Sequence, residues 1–199
     1  MYSSKITLFN YYESATTGDV YWYPHVLSGV DLITDKGAIL KKYGPDATDN
    51  AQLHVRYTVQ NGNVTITDKD GKILPWVPPK EWKQQINNAL EDTITFSDES
   101  FFWEGEWAGG TVSDGDYRNG FYQYMNENRD NVFKITSVGG PYTLIPHFEI
   151  LGFLVLFGKS AHIQLYFHIS IDYGESFKMM NLTHITYPES QNVEWLWIA

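Results

Sequence analysis

The chain has 199 residues and a mass of 22.9 kDa, with 24 Asp and Glu against 14 Lys and Arg, a formal net charge of −10 and a pI near 4.9. A chain of this length holds one large domain, or an ordinary domain with an appendage. With 43% hydrophobic and 16% aromatic residues it is long enough to bury roughly 70% of its unfolded surface. The acidic balance and the lack of a basic stripe argue against partners bound by phosphate neutralisation. The absence of cysteine removes disulfides, thiol catalysis and the usual zinc cages.

The first nine residues lack the apolar core of a secretory signal and the chain turns polar by Glu13, so it reads as a protein made and used without export. Ile6 to Phe9 and Val20 to Tyr23 are rich in β-branched and aromatic residues and predict strands. Asp35 to Gly44 predicts a short helix, capped by Asp35 and stopped by Gly44 and Pro45. Gln52 to Val59 and Asn63 to Thr67 alternate around Asn61-Gly62 and predict a hairpin, followed by a turn at Asp70-Gly71 and a strand at Lys72 to Leu74. Pro75, Pro78 and Pro79 break the sheet, and Glu81 to Leu90 places Trp82, Ile86, Ala89 and Leu90 on one face of a predicted helix.

Thr93 to Phe96 returns to strand character before the aromatic block Phe101 to Trp107. Ser113 to about Asn126 predicts a third helix with Ser113 as cap. Asn131 to Ile150 predicts a closing hairpin that turns at Gly139-Gly140-Pro141. A boundary is expected at Leu151-Gly152, with further strands at Ala161 to Ile171 and Asn192 to Ile198. The apolar stretch from Ile150 to Ile171 is interrupted by Lys159, His162, Gln164 and His168, so it predicts a buried strand rather than a membrane span. Strands broken by isolated helices, without βαβ alternation, indicate α+β or a small barrel, mainly antiparallel, with two or three short helices.

Chemistry is sparse. Glu104 and Glu106 lie two apart between Trp103 and Trp107, which superficially resembles a sugar cleft. Glycosidase carboxylates, however, stand about 5 Å or more apart across a substrate and come from separate elements. His162 and His168 share a strand face but are too far apart along it for one ion, and His25, His54, His147 and His184 are isolated. The acidic turns at Asp68 to Gly71 and Asp114 to Asp116 lack the spacing of a calcium loop and read as turns.

The segments Ile6 to Glu13, Trp22 to Val30, and Asp130 to Val138 through Pro146 to Ile150 resemble small structural proteins of long-tailed bacteriophages, of the minor-capsid-like and head-closure or connector kind. The resemblance covers about residues 1–152, leaving 153–199 as a C-terminal strand extension. It implies a small β-barrel-like body that assembles as a homo-oligomeric ring at the neck, with portal, tail or other neck proteins as partners. It implies no enzyme, no cofactor, no specific nucleic-acid binding and no membrane, and a place in the virion after assembly in the host cytoplasm. On this reading Trp22, Tyr23, Pro24, Trp103, Trp107, Trp195 and Trp197 are candidate interface residues, and Trp107→Ala is expected to weaken assembly while sparing the monomer. The alternative is a carbohydrate-binding β module using exposed Trp and Tyr rings. A hydrolase using Glu104 or Glu106 with a distant carboxylate is the third reading.

Overall fold

The computed structural model describes residues 3–34 and 50–154, which belong to one of the chain's two compact units, Met1–Ser160. Its strands are β1 (Ser4–Glu13), β2 (Val20–Thr34), β3 (Asn50–Arg56), β4 (Thr58–Gln60), β5 (Asn63–Thr67), β6 (Ile73–Pro75), β7 (Phe101–Trp103), β8 (Val112–Ser113), β9 (Val132–Tyr142) and β10 (His147–Phe153). Three short helices interrupt them: α1 (Pro79–Trp82), α2 (Ala89–Asp92) and α3 (Phe121–Asn128). The main sheet runs β1-β7-β9-β10-β3-β2, and β2 pairs back with β1, so six antiparallel strands close a barrel. β8 adds a short strand to the outside of β2, and β4-β5-β6 form a separate small sheet. The expected α+β, mainly antiparallel, barrel-like body is therefore the fold.

The barrel closes because every wall strand offers an apolar residue at alternate positions. Ile6 and Leu8, Leu27, Leu53 and Val55, Phe102, Phe133 and Ile135, and Phe148 and Ile150 meet in one core. Ile66, Leu74, Ile94 and Phe96 join the same core, so the small sheet and the segment after α2 plug the barrel. A second core lies on the other face of β1 and β7, where Phe9, Trp22, Phe101 and Val132 pack against Phe121 and Met125 of α3. This explains why Ile6 to Asn10 are all buried, on both faces of one strand.

Several expectations change: Thr93 to Phe96 carries only an isolated bridge, Ile94 to Trp76, and the third helix starts at Phe121 rather than Ser113. The run Gln52 to Val59 splits at Tyr57: β3 pairs with β10 and β2 in the barrel, and only Thr58–Gln60 pairs across the Asn61-Gly62 turn. That turn holds both residues at positive φ, 51° and 82°, as a tight right-twisted hairpin requires. The Glu81 to Leu90 helix is two single turns, because Asn87 sits at φ 56° and ends any continuous helix, leaving Ile86 67% exposed. The closing hairpin turns after Tyr142 and not at Gly139-Gly140-Pro141. Gly140, at φ +107°, absorbs a register shift within the β9–β10 ladder, and a Cβ there would meet the His147 carbonyl at 3.0 Å. The helix at Asp35 to Gly44 and the strands at Ala161 to Ile171 and Asn192 to Ile198 lie outside the described residues. No helix among the described residues is long and apolar enough to cross a membrane.

Candidate functional site

The predicted interface residues divide when placed on the barrel. Trp22 is 4% exposed, in the second core. Its indole N–H donates to Asp114 Oδ1 at 2.7 Å, and its ring meets Phe101 edge to face with centroids 4.9 Å apart. Trp107 is half-buried, edge-on to Phe9 and Phe121 at 5.7 and 5.3 Å. Trp103 is half-buried, with the Arg129 guanidinium 5.4 Å from its ring centroid. These rings are occupied inside the chain, so Trp107→Ala removes packing from the monomer as well as surface, contrary to the sequence reading. Tyr23 and Pro24 are half-buried, Tyr23 against Trp82 at 6.2 Å. Trp195 and Trp197 lie outside the described residues.

The charged residues singled out by sequence hold loops. Glu106 accepts from Lys5 Nζ at 2.7 Å and lies 3.2 Å from Lys69 Nζ, and these two ammonium groups, Lys5 first, hold its carboxyl below the usual range. Glu104 accepts instead from Asn131 Nδ2 at 2.6 Å. The two carboxylates thus anchor the 104–111 loop at different points rather than facing a common substrate. Thr7 completes the anchor: its hydroxyl donates to the Gly105 carbonyl at 2.8 Å and accepts the Trp107 N–H at 3.0 Å. Asp68 Oδ1 accepts the N–H groups of Asp70 and Lys72 at 2.8 Å each, the turn geometry expected of it. α3 has Gly120 at its N-cap position, and Asp114, not Ser113, accepts the Phe121 N–H at 2.8 Å while it holds Trp22.

The histidines are separate. His25 is 6% exposed beside Leu8 in the β1–β2 pair, its Nε2 without a hydrogen-bond partner among the described residues. Burial first, then the Lys72 ammonium, lowers its pKa to about 4, against the opposing pull of Asp68. His54 lies 3.5 Å from Asp31 and stacks edge-on with His147 at 5.6 Å across β3 and β10. Among the described residues no group of three or more His, Asp and Glu could hold a metal ion. His162, His168 and His184 lie outside them.

Two shallow clefts open on the surface. One, of about 320 Å³, runs between the Phe96 to Glu99 segment and the Thr136 to Val138 stretch of β9, with Lys80 and Lys83 beside it. The other, of about 210 Å³, lies between Tyr23, Pro24 and His25 and the Gly109 to Thr111 loop. The most prominent apolar exposure is at the tip of the β9–β10 hairpin, where Leu144 is 96% and Ile145 66% exposed, with Tyr142 at 44%. Sequence reading took this segment only as part of a hairpin. Two aliphatic residues side by side next to Pro146, at a turn where polar residues usually sit, were the available signal.

No curated protein and no solved structure matches the chain at a significant level. A family model described as a family of unknown function (DUF6751) matches residues 1–153, and the chain belongs to that family.

Proposed function

We propose that this chain is a non-enzymatic structural subunit that works by contact with other protein subunits, in the head–tail connector of a long-tailed bacteriophage, as a homo-oligomeric ring. The observation that carries the assembly part is the exposed apolar tip of the β9–β10 hairpin. Leu144 and Ile145 project from a two-stranded base into solvent, a feature that marks contact surfaces. The phage part rests on the resemblance of segments that lie in β1, β2, β9 and β10, all strands of the barrel wall. A carbohydrate platform has less support, because Trp22, Trp103 and Trp107 spend their faces on packing within the chain.

Light scattering coupled to size exclusion tests the reading on the full chain and on the double variant Leu144→Asp, Ile145→Asp. The wild type is expected at a ring-sized multiple of 22.9 kDa. The variant, altered at exposed positions, is expected to keep its melting temperature and to lose mass. A wild type that stays at one chain mass across the concentration range would overturn the assembly reading.

A further inference from the structure

Barrels remove free strand edges by closing, yet among the described residues this barrel leaves one open. β7 covers β9 only from Val132 to Lys134, and the last backbone bond on that side is from the Ile135 N–H to the Ser100 carbonyl at 3.2 Å. From Ser137 to Gly139, among the described residues, β9 pairs only with β10, and Thr136 sits at a bulge between this stretch and Ile135. The 320 Å³ cleft lies along this uncovered stretch, with Phe96 to Glu99 on its far side. Ser137, Val138 and Gly139 carry no charge; the bulge at Thr136 and the register shift at Gly140 beside Pro141 bound this regular, uncharged piece of edge at its two ends. The charges around the cleft balance: Lys80 and Lys83 against Asp98 and Glu99, with Lys83 and Glu99 paired at 2.7 Å. Such a slot fits an uncharged extended backbone.

The same chain carries a second edge of that kind. β4 is the outer strand of the small sheet, paired only with β5 among the described residues, and Thr58, Val59 and Gln60 are all exposed, Val59 at 63%. It is uncharged, and so is the Asn61-Gly62 turn that follows. At about 3.3 Å per residue β4 spans about 10 Å, and so does the open stretch of β9 from Ser137 to Gly139. The two edges belong to different sheets of the chain and are not neighbours in either.

We propose that the open edge of β9 takes strand β4 of a second copy by main-chain pairing, with Val59 packed into the cleft beside Phe96. Strand addition of this kind draws affinity from backbone hydrogen bonds and specificity from the side chains that fall into the groove. Because donor and acceptor are different surfaces of one chain, the contact is head to tail. Repeated, it closes into a ring or grows as a filament. The inference deepens the assembly reading and rests on its homo-oligomeric part.

Ser137→Lys and Val59→Lys test it, since both positions are exposed and each substitution adds the charge that natural edges use as a block. The full chain and both variants are compared by light scattering, with hydrogen exchange of residues 58–60 and 136–139. The wild type is expected as an oligomer in which both stretches gain protection as concentration rises. Each variant alone is expected as a folded single chain. Mixed in equal amounts they are expected to form a dimer and nothing larger, since Ser137→Lys retains the donor and Val59→Lys the acceptor. An oligomeric wild type whose 136–139 amides stay open, folded variants that assemble like wild type, or a mixture that remains monomeric would overturn this pairing and leave the ring reading standing. A wild type monomeric at every concentration would overturn both.

Discussion

Asp114 is the residue whose removal most directly tests how the second core is held on the barrel. Its Oδ1 accepts two hydrogen bonds, from the Trp22 indole at 2.7 Å and from the Phe121 N–H at 2.8 Å, and both donors belong to residues no more than 4% exposed. Asp114→Ala strands both. Hydrogen bonds to a charged acceptor contribute about 1.5–3 kcal/mol each. Because water can reach the partly buried sites and recover part of this, the expected loss is about 3 kcal/mol, near the lower bound for two bonds. For a domain of this size that lowers the melting temperature by about 6–12 °C. Asp114→Asn keeps an oxygen able to accept and is expected to lose about 1 kcal/mol. Urea titration followed by tryptophan fluorescence and far-UV circular dichroism measures both. Pairing Asp114→Ala with Trp22→Phe in a double-mutant cycle should return a coupling of about 1–2 kcal/mol. An Asp114→Ala protein within about 0.5 kcal/mol of wild type, or an additive cycle, would refute the assignment.

Two further perturbations probe the barrel interior. His25 titrates near 4 in the folded chain against an ordinary value of 6.5, so the unfolded chain binds the extra proton between these pH values. Stability is therefore full above the ordinary value and falls as pH drops towards 4, by about 3 kcal/mol in total. His25→Leu should flatten the urea midpoint over that window, and an unchanged slope would count against a buried neutral imidazole. At Gly152 an added Cβ would meet Phe102 Cε1 at 2.9 Å, Phe133 Cβ at 3.0 Å and the Lys134 carbonyl at 3.2 Å. Gly152→Ala is expected to cost about 1–3 kcal/mol; a thermal melt equal to wild type would contradict the close approach of β9 and β10.

Local chemistry made much of this fold legible before any coordinates. The Asn61-Gly62 and Asp70-Gly71 turns stand where the dipeptides required them, with Gly71 at φ +86°. The alternation in β3 and β10 marked one buried face each. What sequence could not show is which strand a second layer covers. β1 has five consecutive buried residues because the 104–128 region closes over its outer face through Thr7, Glu106 and Phe121. All of those partners are about 100 positions away. The same long-range cover gives Trp22 and Trp107 packing partners inside the chain. The helix at Glu81 to Leu90 failed for a local reason: Asn87 adopts the left-handed conformation that asparagine tolerates, which apolar periodicity does not register. The candidate surfaces that remain, the hairpin tip at Leu144 and the edges of β4 and β9, are defined by what leaves them uncovered among the described residues, and that is a property of the folded sheet.

Electron microscopy of the purified full chain, in negative stain at a concentration where light scattering shows one species, tests the central claim most directly. The account predicts closed rings of identical subunits with a central opening. A field of single, unassociated particles at every concentration would contradict it.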